Sequence, residues 1–210
     1  MRLVRLGNLY YDEELLDRVG VFADREDAGD RLGSACREVL GSADAVYAIP
    51  MGGVPVGAGV AKALSATLDL LICRKLLIPW NREAGFGAVA PDGTVYVDRE
   101  LARQLGLGDE DVRAAVEEQL EEVKRRNRVL RGGRGYPSLA GKAVVVVDDG
   151  IAAGYTMRAA VEFLRCRLHH EGRGRVPQKE RCSARLRGRA DRPWILCDGD
   201  SRDCGCGDMP

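Results

Sequence analysis

Two adjacent carboxylates, Asp148 and Asp149, follow four consecutive valines and precede a bend of mostly small residues, Gly150-Ile151-Ala152-Ala153-Gly154-Tyr155-Thr156. Neighbouring carboxylates at the end of an apolar run can accept hydrogen bonds from vicinal hydroxyls or hold a hydrated magnesium ion. Beyond the bend, Met157, Ala160, Val161 and Leu164 recur at helical spacing, so the first amides of a helix point into the bend and make it an anion site. Acidic pair, small-residue bend and Thr156 hydroxyl together describe a pocket for a sugar that carries a phosphate.

Such a pocket needs elements that hold it. The uninterrupted β-branched run Val144 to Val147 has the pattern of a strand buried on both faces, and it predicts a central strand of a parallel sheet. Ligands of these sheets bind at the carboxyl ends of the strands. Phe22 to Gly29 precedes a predicted helix with Leu32, Ala35, Cys36, Val39 and Leu40 on one face and Gly41 as its stop. Ala45 to Pro50 predicts a short strand. It runs into Met51-Gly52-Gly53 and a helix through Val60, Ala61 and Leu64, and the two glycines allow backbone amides to approach a ligand closely. Leu68 to Lys75 predicts one further strand, ending in the basic pair Arg74-Lys75. Asp92-Gly93 between Gly87-Ala88-Val89 and Thr94 to Val97 is a hairpin signal. From about Asp109 to Leu130, Val112, Val116, Leu120, Val123 and Asn127 form the stripe of a charged amphipathic helix, with Glu121 and Arg125 outside at a spacing that suits an exposed pair. The alternation of strands and helices predicts an α/β fold: a Rossmann-like parallel sheet with flanking helices and an inserted flap.

These motifs resemble the type I phosphoribosyltransferases, and in particular a subgroup with a Phe-x-Asp-Arg-x-x-Ala-Gly start, a Pro-x-Gly-Gly-Val-Pro-Val loop and an Asp-Asp-Gly-Ile-Ala-x-Gly motif, over roughly residues 20 to 164. The resemblance implies transfer of a phosphoribosyl group from phosphoribosyl pyrophosphate to a nitrogenous acceptor, a base or amine, with release of pyrophosphate and with Mg2+ as cofactor. It assigns Asp148 and Asp149 to the ribose hydroxyls and, through water, to the metal. Gly150, Ala152, Ala153, Gly154, Tyr155 and Thr156 would surround the 5-phosphate. Met51, Gly52 and Gly53, often with a non-proline cis peptide near this position, would bind pyrophosphate together with Arg74 and Lys75, and Lys75 joins the acidic pair as a catalytic residue. Glu83, Gly85, Gly87 and Ala88 fall where the family keeps a mobile flap. Asp24 and Arg25 match the start motif, and a helix-start ion pair explains them equally. Arg131 and Arg134 flank glycines and suit either a diphosphate contact or a solvated loop.

Two departures favour an alternative, a phosphoribosyl-pyrophosphate-binding regulator without turnover. Ala153 stands where the family usually has a hydroxyl residue, and Met51 where many relatives have arginine. Base recognition in the family lies in variable segments near the termini, so the motifs name no acceptor. Dimers are usual in the family, which allows a homodimer here.

The 210 residues suffice for one core, and the 32 basic and 32 acidic residues balance, so composition gives no case for a specific nucleic-acid partner. No run approaches the roughly 18 apolar residues of a membrane span, and no signal-peptide core follows Met1, which together predict a cytoplasmic chain. Of seven cysteines, Cys36 and Cys73 read as buried small apolar residues. Residues 1–165 are expected to form the phosphoribosyltransferase-like domain and 166–210 an atypical Arg/Cys-rich tail, beginning where helical periodicity fades after Leu164. Three readings of the tail compete: a zinc site from His169, His170, Cys182, Cys197, Cys204 and Cys206, a basic arm, or a poorly ordered segment foreign to the family with the composition of out-of-frame translation. Trp194 to Cys197 is its one strand-like run.

Overall fold

The computed structural model describes residues 2–169. An N-terminal hairpin, β1 (Leu3–Leu6) and β2 (Leu9–Asp12), precedes α1 (Arg25–Leu40). Helix α1 already begins within the segment expected to precede it, because the Asp24 carboxylate caps it by accepting the Asp27 amide at 2.8 Å while Asp27 accepts the Ala23 amide at 3.1 Å. It ends at Gly41 as expected. Strand β3 (Ala45–Ala48), helix α2 (Gly53–Leu64) and strand β4 (Thr67–Leu70) form a parallel βαβ unit. Strand β8 (Val144–Val147) returns to the other side of β3, giving the parallel order β4-β3-β8.

Side chains alternate across this sheet as a period of two requires. Val46, Val145 and Val147 face α1 and α2, packing with Leu32, Cys36, Val56, Val60 and Leu64. Ala45 and Tyr47, with Val144 and Val146, face α5 (Tyr155–His169) and pack with Met157, Ala160, Phe163 and Leu164. The α1–α2 crossing is close enough to exclude side chains: a Cβ on Gly29 would lie 2.9 Å from the Val56 Cα. The valine run is therefore covered on both faces as expected. Its central position is not observed, for among the described residues β8 is an edge strand paired only with β3.

Between β4 and β8 the chain builds an antiparallel sheet from β5 (Arg74–Ile78), β6 (Asn81–Val89) and β7 (Val95–Val97), followed by α3 (Arg99–Gln104) and α4 (Asp109–Arg131). This insertion has its own core of Ile72, Leu76, Phe86, Val89, Ala102 and Val123, and the Val112, Val116 and Leu120 stripe packs against it. The Asp92-Gly93 turn joins β6 to β7, with the Ala90 amide donating to the Thr94 carbonyl at 2.8 Å. Outside the stripe, Glu121 pairs with Lys124 rather than with Arg125, whose partner is Glu122.

The expected single strand over Leu68 to Lys75 is two strands. Leu71, Ile72 and Cys73 between them are buried without belonging to a strand, and the Ile72 amide donates to the Tyr136 hydroxyl at 3.1 Å, so the chain turns inside the core. Helix α5 also runs past Leu164 to His169, because the Arg167 guanidinium reaches the Tyr136 carbonyl at 2.7 Å and Leu168 packs on the core. His170, Cys182, Cys197, Cys204, Cys206 and the Trp194 to Cys197 run lie outside the described residues. Cys36 and Cys73 are buried free thiols as expected, and burial raises both. Among the described residues no helix is long and apolar enough to cross a membrane.

Candidate functional site

Strand order reverses at β3, since β4 and β8 both follow it in the chain but lie on opposite sides of it in the sheet, and crevices form at the carboxyl ends of strands at such a point. The loop after β3 carries Met51-Gly52-Gly53, and the loop after β8 carries Asp148 and Asp149. The Ile49 amide donates to the Val147 carbonyl at 2.8 Å, which locks the two strand ends together. The peptide between Pro50 and Met51 is cis. A Cβ on Gly52 would overlap the Asp149 carboxylate, and one on Gly53 would lie 3.0 Å from the Asp148 Cα. The two glycines are thus what allows this loop to meet the acidic pair. The Met51 side chain is uncharged and turned to solvent.

The two carboxylates differ. Asp148 is half-buried and accepts the Asp149 amide at 2.9 Å; burial first, then the charge of Asp149, pushes its carboxyl up to about 7. Asp149 accepts a 2.9 Å bond from Arg25 Nε, with 31% of its side chain accessible against 60% for Arg25. Arg25 is the first residue of α1, 124 positions away in sequence. Among the described residues no group of three or more His, Cys, Asp or Glu side chains could hold a metal ion. Two carboxylates alone suit a hard cation that completes its shell with water and ligand oxygens, as magnesium does.

Gly150, Ala152 and Ala153 lie open on the loop after the pair, and Gly154, at φ +75°, ends it by accepting the Arg158 amide at 2.9 Å. Thr156 is in the first turn of α5. The Tyr155 side chain turns away to the insertion: its hydroxyl donates to Asp98 at 2.9 Å and its ring stacks on Tyr96 at 5.7 Å. Burial pushes its phenol up to about 12, so it stays a donor at neutral pH. Arg158 donates to the Tyr96 hydroxyl at 2.7 Å, adding a second tie between α5 and β7. A cavity of about 380 Å³ runs from the acidic pair along β8, between Phe22, Arg25 and Leu32 on one side and Met157 on the other.

The basic residues fall elsewhere than expected. Arg74 and Lys75 open β5 instead of closing a strand; Arg74 donates to Gln119 at 3.3 Å and Lys75 to the Glu83 carbonyl at 3.0 Å. Gly85, Gly87 and Ala88 belong to β6, where the two glycines permit tight pairing: a Cβ on Gly85 would lie 2.9 Å from the Leu76 carbonyl oxygen. Arg131 is neither a diphosphate contact nor a solvated loop residue. It is buried, pairs with Asp69 at 2.9 and 2.7 Å, and lies 3.7 Å over the Tyr136 ring. Arg25 stands at a helix start and in an ion pair, as one of the two readings expected, but its partner is Asp149 rather than Asp24, a contact across the fold that nothing in the local sequence shows.

An acidic pair, a glycine loop and a helix start converge at the switch point of the parallel sheet, and comparison with known proteins gives the family. A phosphoribosyl transferase domain model matches residues 90–167. Two Mycobacterium tuberculosis proteins, from strains CDC 1551 and H37Rv, each named "Putative phosphoribosyl transferase", are 41% identical over 145 residues, 69% of this chain and 33% of theirs. The crystal structure of TT1426 from Thermus thermophilus superposes with a TM-score of 0.55 and 31% identity, over 70% of this chain and 69% of that one. The chain belongs to the type I phosphoribosyltransferase family. It spans about a third of the length of the curated relatives it matches.

Proposed function

We propose that this chain transfers the phosphoribosyl group of phosphoribosyl pyrophosphate to a nitrogenous acceptor and releases pyrophosphate. The observation that carries this reading is the abutment of Gly52 on the Asp149 carboxylate, which joins a sugar-binding acidic pair to an amide-rich loop at one corner of the sheet. Asp148 and Asp149 accept the ribose hydroxyls and fix the sugar. Gly150 to Thr156, backed by the start of α5, offer amides to the 5-phosphate. Met51 to Gly53 receive the leaving diphosphate, and Lys75 and Arg74 at the start of β5 are secondary phosphate contacts.

Departure of diphosphate builds positive charge on the ribose ring, so the work of the residues is to orient the sugar and exclude water. Mg2+ held through water by the acidic pair would supply neutralisation of the leaving group. The half-buried Asp148 gains its full charge only above about pH 7 in the free protein, so donor binding strengthens as pH rises through that value. We place the chain in the cytoplasm with small-molecule substrates.

The exposed, uncharged Met51 favours a second reading, a donor-binding regulator without turnover. Assay of pyrophosphate release with magnesium, phosphoribosyl pyrophosphate and a panel of purine, pyrimidine and amine acceptors separates the two. Release with any acceptor supports the enzyme; donor binding with release from none supports the regulator.

A further inference from the structure

The diphosphate corner, as proposed above, has Lys75 and Arg74 only as secondary contacts and no primary cation assigned to it. Met51 contributes no charge to the loop, and its glycines contribute only neutral amides. The neighbouring cations are engaged elsewhere: Lys75 with the Glu83 carbonyl, Arg74 with Gln119, Arg158 with Tyr96 and Arg31 with Asp27. Arg131 is sealed against Asp69.

Arg25 alone among these is bonded to the acidic pair itself. It touches Asp149 Oδ2 through Nε alone, and among the described residues its two terminal amines have no hydrogen-bond partner. A Cβ on Gly52 would overlap that same carboxylate oxygen, so the guanidinium and the Met51-Gly52-Gly53 loop border one corner. The side chain is 60% accessible and free to present its outer edge to that corner. A guanidinium that commits Nε to a carboxylate keeps a planar pair of donors matched to two phosphate oxygens.

We infer that Arg25 is the cationic ligand of the diphosphate, carried in by the first residue of α1 rather than by the loop after β3. The assignment rests on the phosphoribosyl reading. While the site waits, Asp149 holds the guanidinium in place and limits the repulsion between the two carboxylates; on donor binding the free amines take the diphosphate oxygens.

The test compares Arg25→Gln and Arg25→Lys with the unaltered full chain by calorimetric titration of inorganic pyrophosphate and, separately, of ribose 5-phosphate, both with magnesium. The exposed position at a helix start makes folding of both variants checkable by circular dichroism. Arg25→Gln is expected to weaken pyrophosphate at least tenfold, Arg25→Lys to recover part of that loss, and ribose 5-phosphate to move less than threefold in either. Unchanged pyrophosphate affinity overturns the inference. Equal losses for both ligands also overturn it, since they would make Arg25 only a prop for Asp149. Failure of the unaltered chain to take up either ligand removes the phosphoribosyl reading itself and this assignment with it.

Discussion

Two arginine–aspartate pairs, Arg131–Asp69 and Arg25–Asp149, use the same chemistry to opposite ends. Arg131 places four of its five N–H groups on Asp69, Asn127 and the Arg134 carbonyl, and stacks on Tyr136. Burial alone would raise the Asp69 carboxyl, but bonds from Arg131 and from the Leu70 amide at 2.7 Å bring it below its ordinary value. At the other pair one N–H meets one oxygen in partial solvent, and the adjoining Asp148 is held well above the ordinary range. A charge whose partners are all supplied by the protein is architecture, pinning α4 to β4. A charge left short of partners beside the acidic pair is, on our proposal, where a ligand binds.

Breaking the sealed pair should have the largest effect. Asp69→Ala leaves a buried guanidinium unpaired and should cost about 3 kcal/mol of unfolding free energy in urea titration, with little change in ligand affinity of the folded fraction. The reverse pattern is expected at the open pair: Asp149→Asn should lower turnover, or donor affinity if the chain is a regulator, at least tenfold while leaving the urea midpoint nearly unchanged. Equal sensitivity of stability at both sites would remove the distinction between them.

The raised Asp148 carboxyl sharpens the contrast through pH. A carboxyl whose folded value lies above its unfolded value favours folding most when protonated, so its contribution is fully present below about pH 4, declines above that, and is lost by the time pH has risen through about 7. Asp148→Asn should abolish this decline, raising stability at pH 8 relative to the unaltered chain and leaving it similar at pH 4. Urea midpoints across that range check it; parallel curves for the two proteins would show that Asp148 titrates normally. The smallest effect is expected at the tie between α5 and the insertion. Tyr155→Phe removes the Asp98 bond but keeps the stacking on Tyr96, and should cost about 1 kcal/mol.

Much of this arrangement was legible in the sequence where a local pattern sets the structure. The valine run, the acidic pair at its end, the Asp92-Gly93 hairpin and the stripe of α4 each express a short-range rule. The edge position that β8 has among the described residues was not legible, since four valines cover both faces of a strand in the same way whether or not its second edge is paired. The break inside Leu68 to Lys75 was hidden because Leu71, Ile72 and Cys73 are as buried in a turn within the core as they would be in a strand. The partners of Arg25 and Arg131 were not legible because they lie 124 and 62 residues away. The acidic pair and the glycine loop, read from motif chemistry, meet in the structure, whereas the bond from Arg25 to Asp149 was not read.

The most direct measurement is calorimetric titration of phosphoribosyl pyrophosphate into the full chain and into Asp149→Asn, each with and without magnesium. The expected result is saturable, magnesium-dependent uptake by the unaltered chain that weakens at least tenfold in the variant. No uptake by well-folded unaltered protein, or equal uptake by both, would contradict a phosphoribosyl site built on the acidic pair.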